Sequence, residues 1–370
     1  MKHLNMDIYT DFECVGKECK FTCCAGWEIT IDDETFKIYD NLQGEFGEKI
    51  RKNITNKNGC NMFVLNKEKK CPFFTAEGLC EIYLKLGPDK MCNICQAYPR
   101  TCKRYGDIYF WSMYIDCPHI LDMLIDKKDI ILYELSESSN NVAGDSYDES
   151  KIDWQKFNNY IDAFVIINDI ITNRAETIQN RMKLVVFFVK QFDELEETEK
   201  VQELLEFFRD KNNCKEFISE LDGVCYSAEK EKVFLETIFN NDSIIDEFFK
   251  NGVRMQYQNA LLKNKEDSLQ VSNLLEKVAQ IAMFKYFMDG FDNGNLKESF
   301  SYAIILYKAI EYTIRLYYIT SGFFDKERII ESIVKEARGL EHTYLKRYKI
   351  ALEKLKENNI YDYDSLLEIL

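Results

Sequence analysis

The sequence predicts a mainly α protein in which a loop-rich, cysteine-cluster N-terminal domain precedes an all-helical C-terminal domain. Three observations lead there. Eleven of the thirteen cysteines lie between Cys14 and Cys117. All four prolines, Pro72, Pro88, Pro99 and Pro118, fall in the same stretch. Beyond Pro118, apolar residues recur at three-to-four spacing with no proline to interrupt them. At 370 residues the chain exceeds one ordinary core, so two domains are the simplest expectation. The expected boundaries are 1–120 for the cysteine-rich metal-binding domain, 121–150 for a connecting segment and linker, and 151–370 for the helical domain.

Within residues 1–120, proline and glycine punctuate turns, so short elements joined by loops are expected. Such a segment builds only a small apolar core, for which bound metal is the usual substitute. Ser136–Ser150 is polar and rich in small residues, and reads as a linker or long exposed loop. Helical periodicity then begins with Ile152, Trp154, Phe157, Ile161, Phe164, Val165 and Asn168. It continues through Met182, Val185, Val186 and Val189, then Val201, Leu204, Leu205 and Phe208, and again from Tyr302 to Leu316. Breaks are expected near Asn212-Asn213, Gly223, Asn251-Gly252 and Gly290–Asn295. Typical helix lengths then give roughly six to nine helices.

Charge narrows the partners. The formal net charge is −15, which argues against nucleic acid, because phosphate binding needs clustered Lys and Arg. Residues 1–118 hold 16 basic and 17 acidic residues, so the remaining 32 basic and 46 acidic place nearly all the excess on the helical part. Solvated helix faces account for most of that acidity, and a docking surface for a basic partner is the functional alternative. The N-terminus turns acidic at Asp7, where an export signal needs an apolar run. Ala303–Thr320 carries Lys308, Glu311 and Arg315, so no membrane segment is expected. The expected location is the cytoplasm, where thiols stay reduced and cysteines point to metal rather than to disulfides.

The cysteines run Cys14-x4-Cys19-x3-Cys23-Cys24, then Cys60, then Cys71-x8-Cys80-x11-Cys92-x2-Cys95-x6-Cys102-x14-Cys117. Only Cys92 to Cys95 has the gap that lets two sulfurs face one metal from a single turn. With three histidines in the chain, Cys₂His₂ zinc patterns are effectively excluded, and thiolates alone suit zinc or an iron–sulfur cluster. Isolated cysteines at wide spacing favour a cluster assembled from distant loops, with zinc as the alternative. Cys214 and Cys225 read as small buried hydrophobes. Cys60 and Cys102 lack a confirming motif.

The run Asp11-Phe12-x-Cys14-x4-Cys19-x3-Cys23-Cys24-x-Gly26-Trp27-x-Ile29 resembles the start of the flagellin lysine N-methylase family, within a wider group carrying zinc- or iron-chelating cysteine clusters. The resemblance continues through Cys71-Pro72-Phe73-Phe74, Gly78-Leu79-Cys80-Glu81-Ile82-Tyr83, Met91-Cys92-x2-Cys95-x2-Tyr98-Pro99-Arg100 and Cys117-Pro118, and covers about the first third of the chain. It implies transfer of a methyl group from S-adenosylmethionine to lysine side chains of flagellin or a similar protein, with an iron–sulfur cluster, 4Fe-4S in kind. The candidate metal ligands are Cys19, Cys23, Cys24, Cys71, Cys80, Cys92, Cys95 and Cys117, with Cys14 intermediate. One departure stands out: His119 follows Cys117-Pro118 where the family pattern has a carboxylate, which leaves the substrate open.

Methyl transfer to lysine requires an unprotonated amine. Asp116 and Tyr98, beside expected ligands, are the candidate catalytic residues that orient the amine or take its proton. Arg100 is a candidate partner for the cluster's charge or the donor's carboxylate, and Trp27 a candidate shield of the metal from water. Neither a Gly-rich strand-to-helix loop nor the C-x3-C-x2-C triplet of radical enzymes is found in the sequence, so the donor site is not placed. Two rivals remain. One is a non-catalytic, zinc-stabilised interaction module presenting an acidic helical platform; the other is an iron–sulfur redox or electron-transfer protein.

Overall fold

The structure, a computed structural model, describes residues 1–26, 29–57, 59–137, 145–147, 149–221, 224–239, 265–342 and 344–370. Trp27, most of the expected linker and the breaks expected at Gly223 and Asn251-Gly252 lie outside the described residues. The described chain is mainly α, as the periodicity predicts.

The N-terminal part contains two sheets that the sequence did not announce. β1 (Lys2–Met6) pairs in parallel with β6 (Ile108–Met113) and antiparallel with β7 (Tyr133–Glu137). β6 also pairs antiparallel with β5 (Arg100–Tyr105), which carries β8 (Asp145–Tyr147) at its far edge, giving the order β7-β1-β6-β5-β8. Residues 109–113 of β6 are buried on both faces, so its apolar residues form a run rather than an alternation. A smaller sheet joins β2 (Thr30–Ile31), β4 (Cys60–Phe63) and β3 (Ile54–Lys57) in the order β2-β4-β3. Short helices connect these strands: α1 (Asp7–Asp11), α2 (Asp33–Asn41), α3 (Gly44–Lys52), α4 (Glu81–Leu86) and α5 (Asn93–Ala97). α6 (Pro118–Asp126) follows, with Pro118 in its first turn, where a missing N–H costs nothing.

The helical part follows the expected spacing. It comprises α7 (Trp154–Ile171), α8 (Ile178–Glu194), α9 (Thr198–Arg209), α10 (Lys211–Leu221), α11 (Ala228–Phe239), α12 (Lys265–Asn293), α13 (Leu296–Ser321), α14 (Lys326–Glu341), α15 (Tyr344–Glu357) and α16 (Tyr363–Ile369). These ten, among the described residues, exceed the six to nine expected; the break expected near Asn212-Asn213 falls at Asp210, between α9 and α10, and the chain adds the short α16. Several N-termini are capped by the residue types that do this best: Asp153, Thr177, Asn295, Asp325 and Asp362 each accept from a backbone N–H three residues on. The expected break at Gly290–Asn295 is the α12–α13 turn. There Gly290 permits close approach, since a Cβ would stand 2.7 Å from Leu296 Cα.

Two cores result. The larger gathers Met6, Phe110, Met113, Ile115 and Cys117 with the apolar faces of the C-terminal helices, so the five-stranded sheet and the helices share one interior. Ile131, from the segment expected to connect, is buried in it too. The smaller core is built around Ile29, Ile31, Tyr39, Ile50, Phe63, Cys71, Phe73, Ile82 and Cys92. Lys308, Glu311 and Arg315 do not face solvent. Lys308 pairs with Glu231 at 2.8 Å and Glu311 at 2.8 Å, and Arg315 pairs with Glu311, leaving two buried cations matched by two buried anions. Among the described residues no helix is long and apolar enough to cross a membrane.

Candidate metal centre and the polar cluster beside it

The smaller core is where the thiols converge. Cys23, Cys24, Cys71, Cys80, Cys92 and Cys95 line one cavity, closed by Tyr39 and Tyr98. The backbone brings them in from four loops. Cys71 N donates to Cys24 O at 2.7 Å, and Phe74 and Cys80 form a bridge that turns the Cys71 loop back on itself. Asp32 Oδ2 accepts from Asn93 N at 2.8 Å, which fixes the first turn of α5 and sets Cys92 and Cys95 on one side of it. Their sulfurs are 3.3 Å apart.

Six of the eight expected ligands therefore share this cavity. The other two lie beyond it. Cys117 is buried in the larger core, and Cys19 lines a groove with Pro118 and His119. Cys19 raises the cost of ionising Cys117, and Cys117 and Cys14 raise that of Cys23, so these form a second neighbourhood of sulfurs. Cys60 is exposed on β4, and Cys102 is buried with Tyr109 and Trp111. Cys214 is buried as expected, whereas Cys225 is exposed.

Burial opposes ionisation throughout. It pushes Cys71 and Cys117 up to about 12 and raises Cys80 and Cys19. Cys95 is pushed well up by its hydrogen bond with Cys92 and by burial. Cys24 is the exception: the hydrogen bond from Cys23 brings it down to about 7 against its burial, with Thr22 and Arg338 assisting. A cation entering the cavity must displace protons from the other sulfurs, and Cys24 is the first thiolate it meets near neutral pH. The donor set, six soft sulfurs around one small cavity, fits an iron–sulfur cluster or zinc. Among the described residues, no three Cys, His, Asp or Glu side chains close on one point as a single bound ion requires.

A polar cluster adjoins the sulfurs. Asp116 is fully buried, 3.4 Å from Arg338 Nε and 2.9 Å from His342 Nε2. The Arg338 guanidinium also donates to Phe21 O at 3.2 Å, Thr22 O at 3.1 Å and Ala25 O at 3.0 Å, so α14 clamps the segment that carries Cys23 and Cys24. Gly26 beside it sits at φ 87°, a left-handed backbone that favours glycine. Tyr98 stacks on Tyr114 with ring centres 6.1 Å apart and lies 5.7 Å from the His342 ring. Burial, then the charges of Asp116 and Cys117, push its phenol well above the ordinary range, so it stays protonated and can donate. Arg100 is engaged elsewhere: its guanidinium donates to Phe12 O at 2.7 Å and lies over the rings of Tyr9 and Phe12. His119 approaches Asp122 at 3.8 Å and Phe12.

Comparison with known proteins finds the same relatives that the motifs suggest. Over 126 residues, 32% of this chain and 31% of each relative, it is 25% identical to the lysine-N-methylases of Salmonella choleraesuis and Salmonella typhimurium. The resemblance is to lysine-N-methylases. Over 133 residues it is also 25% identical to the flagellar biosynthetic protein FliU of Salmonella muenchen, covering 75% of that protein. The matched part spans about a third of the length of the curated lysine-N-methylases. No family model and no solved structure matches the chain.

Sequence reasoning placed Asp116 and Tyr98 beside the sulfurs but missed Arg338 and His342, which complete the cluster from more than two hundred residues away. A signal was present. His342 is one of only three histidines, and it lies four residues after Arg338, the spacing that puts two side chains on one helical face.

Proposed function

We propose that the chain is a protein-lysine N-methyltransferase acting on flagellin or a similar protein, with S-adenosylmethionine as methyl donor and an iron–sulfur cluster, 4Fe-4S in kind, as resident cofactor. The observation that carries this reading is the cavity lined by six cysteines in a chain similar to two lysine-N-methylases. Once bound, a cluster supplies thiolate bonds that tie the Cys23–Cys24, Cys71, Cys80 and Cys92–Cys95 loops together. Either a cluster or a zinc ion would be held by these thiolates, with Cys92 and Cys95, whose sulfurs are 3.3 Å apart, on one side of the cavity.

The transfer itself breaks the S–CH₃ bond of the donor and forms an Nζ–CH₃ bond on lysine. S-adenosylhomocysteine leaves, and the proton lost from lysine goes to a base. Asp116 with His342 forms that base in this reading: the carboxylate fixes the imidazole, and the imidazole takes the proton. Tyr98, held protonated, donates a hydrogen bond rather than accepting one. Arg338 positions both the Asp116 carboxylate and the Cys23–Cys24 backbone. Reduced thiols of this kind belong in the cytoplasm.

The test is metal and sulfide analysis of protein purified without oxygen, followed by incubation with methyl-labelled S-adenosylmethionine and flagellin. Iron with acid-labile sulfide, and label on flagellin lysines, are the expected results. Zinc alone, with no label transferred and no donor bound in calorimetry, would leave a zinc-stabilised interaction module in its place.

A further inference from the structure

A second cavity lies between the five-stranded sheet and α12. Its floor is formed by buried Phe110 and Ser112 from β6 and Phe284 and Met288 from α12, with half-buried Tyr114 beside them and buried Glu341 closing the end. Its rim is half-buried, with Lys103 held by Asp289 and, at 2.8 Å, by Asp292. The cavity has a volume of about 180 Å³, room for a long side chain.

Two atoms on the floor lack the partners that burial demands. Glu341 Oε1 receives Lys285 Nζ at 2.7 Å and Tyr286 Oη at 3.2 Å, but Glu341 Oε2 has no hydrogen-bond partner, and neither has Ser112 Oγ. A buried carboxylate oxygen left bare costs free energy that a donor would recover. Among the described residues, Asp289 and Asp292 share Lys103 at the rim, and Lys285 pairs with Glu341 on the floor. The cavity also shows how it receives an ammonium: Lys285 Nζ sits 3.5 Å from the centre of the Tyr114 ring. Aromatic and apolar walls, a ring face and an open carboxylate oxygen together make a receptor for an aliphatic chain ending in a cation.

We infer that this cavity binds the side chain of a lysine from the protein substrate, its ammonium meeting Glu341 Oε2 and Ser112 Oγ and its methylene stem lying against Phe110, Phe284 and Met288. The assignment rests on the proposed methylation reading, and it gives that reading a substrate site. Tyr114, which contacts the His342 ring at a centroid distance of 4.8 Å, joins the cavity to the Asp116 cluster.

The experiment uses full-length protein carrying its metal, with the Met288 methyl group observed by NMR. Nα-acetyl-lysine amide should shift Met288 and saturate in the millimolar range, while the norleucine analogue, which lacks only the ammonium, should not. Glu341→Gln should weaken binding at least tenfold. Because Glu341 also holds Lys285, Ser112→Val serves as the second variant, filling the floor without removing that pair, and it should weaken binding to a similar degree. S-adenosylmethionine is the competing cation: a Met288 shift with the donor but not with the lysine amide would overturn the lysine assignment. A shift with neither would mean the floor atoms are satisfied by water, which overturns it as well. Label transfer to flagellin is measured on the same preparation. Transfer without a lysine-induced shift sinks the cavity assignment alone, and a lysine-induced shift without transfer sinks the methylation reading alone.

Discussion

Replacing Arg338 by Ala tests whether the C-terminal helices hold the sulfur-bearing segment in place. Its guanidinium serves three carbonyls between Phe21 and Ala25, the Asp116 carbonyl and the Asp116 carboxylate, and its side chain is only 11% exposed. A hydrogen bond from a charged donor contributes about 1.5–3 kcal/mol, but five bonds to one group do not add. The larger cost is Asp116, which would stay buried with His342 as its remaining ionic neighbour. Losing one partner of a buried pair costs about 3–5 kcal/mol, and that is the expected loss in a urea unfolding curve. Arg338→Lys keeps the charge and loses the fork, so about half of that loss is expected. Amide exchange at residues 21–26 should quicken by about a hundredfold to a few thousandfold in the alanine variant, since each 1.4 kcal/mol is a factor of about ten. Stability within about 1 kcal/mol of the parent, with unchanged protection at 21–26, would refute the clamp.

Three further outcomes follow from the geometry. Cys92→Ser or Cys95→Ser should abolish metal retention and loosen the small core around Phe63 and Phe73, leaving Met113–Leu124 protected from exchange; full metal content in both variants would remove this pair from the cage. Lys277 is fully buried, and burial lowers its pKa to about 8. Between that value and about 10.5 the unfolded chain binds more protons, so stability climbs with pH across this window; Lys277→Met should gain about 2–3 kcal/mol below pH 8, a gain that fades above about 10.5. An equal gain at every pH in thermal unfolding would show that the charge is not its source. Gly290→Ala would drive a Cβ to 2.7 Å from Leu296 Cα and should cost about 1–3 kcal/mol by forcing α12 and α13 apart; an unshifted melting temperature would show that the turn gives way easily.

The helical part was legible because its physics is local. The spacing from Ile152 to Asn168 became α7, that from Met182 to Val189 fell within α8, and the Tyr302–Leu316 run lies inside α13. The five-stranded sheet was not legible, since parallel pairing of Lys2–Met6 with Ile108–Met113 depends on residues a hundred positions apart. Tyr133–Glu137 is mostly exposed and polar, so nothing in its composition announces a strand; its neighbour β1 supplies the hydrogen bonds. The sulfurs were legible as a set, and six of them line one cavity. What spacing could not reveal was the division that leaves Cys117 and Cys19 outside that cavity, or the arginine that reaches the Phe21–Ala25 backbone and Asp116 from α14. Lys308, Glu311 and Arg315, read from the sequence as charges that interrupt an apolar run, neutralise one another with Glu231 in the interior, a pairing that the sequence alone does not announce.

The clamp spans 222 positions of sequence between Asp116 and Arg338, which has a consequence in time. A ribosome adding about 5–20 residues each second needs roughly 10–45 s to travel that distance. Throughout that interval Cys23 and Cys24 have been synthesised but Arg338 has not, so the segment that carries them waits unfastened until α14 emerges.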